Sequence, residues 1–138
     1  MMQEDLAALK SFHGHLGPYL VAGVRMGRHA LKRLQATRHF GLEADVWCPD
    51  GPPSSCLLDG IQFATGCTLG KGNIRHHVDE EIRALFRNKQ TNAVIMLSFV
   101  PEALQAGMAE LEASDDEAGA QYVYDLEEQQ LLEELPGD

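Results

Sequence analysis

The chain has 138 residues, 44% of them hydrophobic and 23% charged, with a formal net charge of −10, values that fit one soluble domain with a real core. No apolar run approaches the ~20 residues that cross a bilayer, and the opening MMQEDLAALK lacks the basic and apolar stretches of a secretory signal, so the expected location is the cytoplasm. All eleven Lys and Arg fall in residues 1–89 beside nine Asp and Glu, whereas residues 90–138 hold twelve acidic side chains and no basic one; this argues against nucleic-acid and membrane-surface binding and makes the C-terminal part a solvated face or a surface for a basic partner.

LAALKSF at 6–12 reads as a short amphipathic helix. Pro18, suited to a first helical position, opens a second helix that runs to about Leu34, with Leu20, Val21, Val24, Leu31 and Leu34 at helical spacing. Gly23 and Gly27 share one face of it and imply close approach of a neighbouring element. EADVWCPD at 43–50 alternates as a strand does and runs into the turn-rich PDGPP. Ser54 or Ser55 then caps a helix from Cys56 to about Thr65. CTLGKGNI at 67–74 is loop or strand. VDEEIRALFRN at 78–88 is read as a helix, acidic at its start and basic at its end as the helix dipole favours. NAVIMLSFV at 92–100 reads as a buried strand and PEALQAGMAELEA at 101–113 as a helix. QYVYDL suggests an edge strand, and LEEQQLLEEL a helix. Helices interspersed with a few strands, without strict alternation, indicate an α+β fold: one domain over 1–138, with its core at about 5–113 and an acidic segment at 114–138.

Three groups of residues carry chemistry. In FHGHLGP at 12–18 an extended HGH presents His13 and His15 on one side, and a helix starting at Pro18 places His15 beside its positive end, which disfavours the imidazolium and keeps the ring neutral for metal. Cys56 in the first turn of its helix is a thiolate candidate, because the same dipole effect lowers a thiol pKa, with Asp59 on the same face. Two neutral imidazoles and a thiolate suit zinc, nickel or a similar ion. Cys67 follows eleven residues later and cannot share a metal with Cys56 on one continuous helix; either the helix breaks at Gly66 and folds Cys67 back, or the thiols belong to separate sites, with a subunit interface as one arrangement. In GCTLGKGN the spacing is wrong for a nucleotide triphosphate loop, yet backbone N–H groups around Gly70 and Gly72, with the Lys71 ammonium, suit a small anion such as a carboxylate; the alternative is a plain tight turn. His29, His39, His76 and His77 read as surface residues, and three cysteines without an export signal do not describe a disulfide framework.

FHGHLGPYLVAGVRMG at 12–27 and CLLDGIQFATGCTLGKGNI at 56–74, in this order and spacing, resemble the FmdE family of formylmethanofuran dehydrogenase components. The resemblance implies an α+β, FmdE-like domain with a small mixed or antiparallel sheet packed by helices, which forms a homodimer. It also implies a divalent transition metal, zinc first and nickel or iron as alternatives, in a groove lined by the histidine motif and the cysteine-bearing helix and loop. On this mapping His13, His15, Cys56 and Cys67 are the ligands, with His15 and Cys67 ranked ahead of His13 and Cys56. Asp59, Thr68, Lys71 and Asn73 surround them; Thr68, Gly70, Lys71, Gly72 and Asn73 form the anion contact, and Cys56, Cys67 and Lys71 are the catalytic candidates.

The implied role is that of a metal-binding protein, accessory to a redox-enzyme partner or standing alone, in one-carbon or molybdenum- or tungsten-linked redox metabolism. The alternatives are a metal- or thiolate-dependent enzyme for a small carboxylate or one-carbon substrate, and a non-catalytic component docking through its acidic C-terminal region. Two departures stand out. Relatives often have Cys-Pro-Gly where this chain has Gly17, Pro18 and Tyr19, and no cysteine follows Cys67 to build a C-terminal zinc-ribbon module.

Overall fold

The computed structural model describes residues 3–136. Helix α1 (Gln3–His13) precedes α2 (Pro18–Leu34), which begins at Pro18 as its sequence requires. A single 3-10 turn leads to β1 (Leu42–Cys48), and the PDGPP loop leads to α3 (Cys56–Thr65). Next come β2 (Ile74–Val78), β3 (Arg83–Asn88), β4 (Val94–Phe99), α4 (Pro101–Ala113), α5 (Asp116–Asp125), the one-turn α6 (Glu128–Leu131) and β5 (Leu132–Leu135). The strands form one mixed sheet in the order β2-β1-β3-β4-β5, with β1 parallel to β2 and every other pair antiparallel. The α+β class and the mixed sheet expected from the sequence are both present.

One face of the sheet carries Leu42, Ala44 and Val46 of β1, Ala84 and Phe86 of β3, and Leu97 and Phe99 of β4, all in one core with Leu20, Val21 and Val24 of α2 and Leu57 and Ile61 of α3. The two helices meet at Gly23 and Gly60, where a Cβ on Gly23 would overlap the Leu57 carbonyl and one on Gly60 the Leu20 carbonyl. The close approach implied by the α2 glycines is thus with α3, and it brings the N-terminal halves of both helices together.

Four expectations about the elements are corrected. The 78–88 stretch is the end of β2, a turn and β3, not a helix. Arg83, Leu85 and Arg87 alternate with buried Ala84, Phe86 and Asn88, a period of two that its charge order concealed. QYVYDL lies in α5 rather than in an edge strand: Asp115 caps that helix by accepting from the Ala118 N–H at 2.8 Å. LEEQQLLEEL is one helical turn followed by the true edge strand β5. β4 is buried on alternate residues only, so it covers the core with one face.

The acidic C-terminal segment is built into the fold over its described residues. Ala120, Val123, Leu131 and Leu132 are core residues, and the Arg25 guanidinium donates to the Val123 and Tyr124 carbonyls at the end of α5, at 2.9 and 3.1 Å. His29 is no surface residue. Its side chain is 10% exposed, with Nε2 3.2 Å from Glu134 and Nδ1 3.2 Å from Glu128. Lys32 and Arg33 pair with the same two carboxylates, so one face of α2 fastens α6 and β5.

Candidate metal centre

α1 ends at His13, and Gly14, at φ 108°, turns the chain out of the helix in a conformation that other residues rarely adopt. The Gly14 N–H closes that helix end on the Lys10 carbonyl at 2.7 Å. Two residues on, the backbone enters α2 at Gly17 and Pro18. This short reversal sets the His13 and His15 rings 4.9 Å apart between centroids, tilted by 44°. Because α2 and α3 cross so closely, the first turn of α3 lies beside the reversal and delivers Cys56. One ligand atom from each of His13, His15 and Cys56 lies within 4.8 Å of the others.

Each histidine also meets a carboxylate. His13 is 2.6 Å from Asp59 through Nδ1; since a carboxylate only accepts, the ring donates there, and in the neutral ring this tautomer presents Nε2 as the lone-pair nitrogen for a metal. His15 Nδ1 lies 3.3 Å from Asp116 at the start of α5, so the C-terminal segment reaches the same site. The two rings differ in setting: the His13 side chain is 11% exposed and that of His15 53%, which makes one an anchored donor and the other an open one.

The Cys56 thiol is not activated as the helix-start argument expects. Burial, and then the Asp59 charge, raise its pKa above the ordinary thiol value. The dipole has little to offer because the first amides of α3 are already engaged: Cys56, Leu57 and Leu58 donate to the carbonyls of Pro53, Ser54 and Ser55. Ser55 sits at the cap position without a side-chain cap bond. A thiol held protonated in this way is a poor nucleophile by itself, whereas a divalent cation displaces its proton.

Cys67 is not brought to the group. α3 ends at Gly66, but the fold-back of Cys67 that the first sequence alternative required does not occur: the chain turns into the core. The Cys67 thiol is fully buried and donates to the Leu42 carbonyl at 3.3 Å, and burial raises its pKa. The third thiol, Cys48, is buried at the end of β1, its pKa pushed up to about 11.

The glycine-rich loop takes the tight-turn form. Asn73 is buried and serves the loop itself, its Oδ1 accepting from the Thr68 N–H at 2.9 Å and its Nδ2 donating to the carbonyls of His39 and Leu42. The Lys71 and Gly72 amides both donate to the Thr68 carbonyl at 3.1 Å, and Lys71 Nζ lies 3.3 Å from Thr68 Oγ1. The expected anion contact therefore rests on the Lys71 ammonium and Gly70.

The fold and this group define an α+β domain with a preformed cluster of two imidazoles and a thiol. The family described as "FmdE, Molybdenum formylmethanofuran dehydrogenase operon" matches residues 12–135, and the chain belongs to that family. A solved structure with the same fold is an FmdE-like protein of the tungsten formylmethanofuran dehydrogenase type from Syntrophus aciditrophicus. It has a TM-score of 0.64 and 20% identity, over 99% of this chain and 72% of that one. A curated relative, a probable S-adenosyl-L-methionine-binding protein of Archaeoglobus fulgidus, is 38% identical over 76 residues, which is 50% of this chain and 19% of that protein's length. The chain thus spans about a fifth of the relative. No helix among the described residues is long and apolar enough to cross a membrane.

Proposed function

We propose that this chain is a metal-binding domain whose ion is held by His13, His15 and Cys56, with zinc as the metal best matched to two imidazoles and one thiolate. The observation that carries this is the convergence of the three ligand atoms within 4.8 Å. Support comes from the carboxylates behind both rings, an arrangement typical of metal-bound histidine. When bound, such an ion supplies a Lewis-acid centre with a fourth position for water or substrate. The chain's own residues do the rest: Asp59 fixes the His13 tautomer, Asp116 orients His15, and the partly buried Cys56 gives up its proton on binding. The role is accessory or stand-alone in one-carbon or molybdenum- or tungsten-linked redox metabolism, in the cytoplasm and as a homodimer.

A second reading, a metal-dependent enzyme acting on a small carboxylate or one-carbon substrate, is favoured by the number of donors, since three protein ligands leave a position open. Docking through the acidic C-terminal region has less to recommend it, because Glu117, Glu128 and Glu134 are already paired with Lys10, Lys32 and Arg33 of this chain.

Cobalt substitution tests the site. One equivalent of Co(II) should give an intense near-ultraviolet thiolate-to-metal band that is lost in Cys56→Ala, weakened in His15→Ala and kept in Cys67→Ala. Absence of the band in the wild type, with no metal retained on purification, would sink both metal readings. An exchangeable water on the bound ion would favour the enzyme.

A further inference from the structure

A groove of about 790 Å³ lies where the start of β3 and the end of β4 meet α4, within the size range of small-molecule sites. It shares no residue with the metal-binding cluster. Its apolar lining comes from Tyr19, Ile82, Phe99, Leu104, Met108 and Leu135. Leu104 and Met108 stand one turn apart on α4, and the flexible Met108 side chain adapts to bodies of different shape.

Charge at the rim is one-sided. Glu80, Glu81 and Glu112 border the groove, are exposed and make no side-chain hydrogen bond or ion pair among the described residues. Glu43, Glu117, Glu128 and Glu134, by contrast, each pair with a basic residue of this chain. Arg83, the one basic lining residue, is committed. Its guanidinium lies 4.7 Å over the Trp47 ring, and Nη1 is 3.3 Å from both Asp79 Oδ2 and the Glu81 carbonyl. The groove therefore offers an apolar floor with three uncompensated carboxylates and no free cation.

We infer that this groove binds a small amphipathic cation, with an aliphatic or aromatic body between α4 and the β3–β4 end of the sheet and an ammonium-type group among Glu80, Glu81 and Glu112. An anionic amphiphile of the same length meets repulsion at the rim, and a neutral one gains only from the floor.

Three eight-carbon probes below their micellar concentrations separate these contributions: octyltrimethylammonium, octyl glucoside and octanoate, titrated calorimetrically into the full chain. The cation should bind at least about tenfold more tightly than the glucoside, and octanoate most weakly, with the cation's advantage shrinking as salt is raised. It should shift the Met108 methyl resonance and change the fluorescence of Trp47, the only tryptophan, through Arg83. The combined variant Glu80→Gln, Glu81→Gln, Glu112→Gln should bring the cation down to the glucoside's affinity. Met108→Trp should block both, with circular dichroism confirming that it folds. Equal binding of octanoate, or cation binding that leaves Met108 unperturbed and survives both variants, would overturn the assignment. So would failure of the cation to bind the wild type while Met108→Trp splits a dimer, since the groove would then be a contact between copies.

Discussion

Asp59 of α3 holds His13 of α1 by a 2.6 Å hydrogen bond to Nδ1, across 46 residues of chain. It joins the end of one helix to the first turn of another and sets which ring nitrogen is left for a metal. Removing the carboxylate with Asp59→Ala should weaken zinc binding about 10- to 100-fold, measured by competition with a chromogenic chelator. The metal-free protein should melt close to the wild type, because the Asp59 side chain is 42% exposed. An unchanged affinity would show that His13 needs no such support.

Gly17, directly before α2, has surroundings that suit a cysteine. Its backbone is extended at φ −151° and ψ 167°, open to any residue, and a Cβ there would lie 3.6 Å from His15 Cε1 in ordinary contact. Gly17→Cys should therefore fold normally and add a second thiolate to the cluster. Zinc affinity is expected to rise at least about tenfold, and the cobalt thiolate band should grow in intensity as the coordination approaches two cysteines and two histidines. An unchanged band would mean that residue 17 faces away from the bound ion.

The sequence motifs revealed the partners of the site more readily than their ranking. His13, His15 and Cys56 were legible because each sits at a chain feature that sequence exposes: a glycine reversal, a proline-started helix and a helix beginning. Cys67 looked equivalent by motif, yet its fate depends on the turn at Gly66 and on the Leu42 carbonyl of β1, a long-range contact that spacing does not encode. Asp116 and His29 were missed for the same reason, their partners being about a hundred residues away. Among the elements, α2, β1, α3 and α4 were legible from proline starts and periodicity. β3 was not, because Asp79, Glu80 and Glu81 before it and Arg87 near its end imitate a helix's charge order.

Cys67 should accordingly behave as a core residue. Cys67→Ala removes a fully buried sulfur and its bond to Leu42, with an expected cost of about 1 kcal/mol by urea denaturation, and zinc stoichiometry stays at that of the wild type. Loss of metal with little loss of stability would return Cys67 to the ligand set.

Gly60 should tolerate substitution poorly. A Cβ there would overlap the Leu20 carbonyl and come within 2.8 Å of the Val24 amide, both backbone groups that cannot rotate away. Gly60→Ala must push α2 and α3 apart, at a cost of about 1–3 kcal/mol or more. Because the same crossing carries Cys56 to the histidines, zinc affinity should fall together with the melting temperature. A stable variant with normal zinc binding would show that the helix contact does not position the site.

Glu134 gives the acid side of stability a specific locus. The hydrogen bond from Arg33, and then that from His29, hold its carboxyl at about 2, below the ordinary 4.5. A depressed folded-state pKa means that the stabilisation is fully present above the unfolded value, near pH 4.5, and is lost as pH falls toward 2. Its side chain is 40% exposed, so solvent screening limits the contribution to about 0.5 kcal/mol. Glu134→Gln should be less stable than the wild type by about that amount at pH 6, and the gap should shrink below about pH 4.5 and close only as the pH falls through about 2. Amide exchange should locate the difference in β5, the strand that Glu134 fastens to α2. A gap between the two proteins that does not narrow between pH 6 and pH 2 would mean that packing, rather than the charge on Glu134, secures this edge.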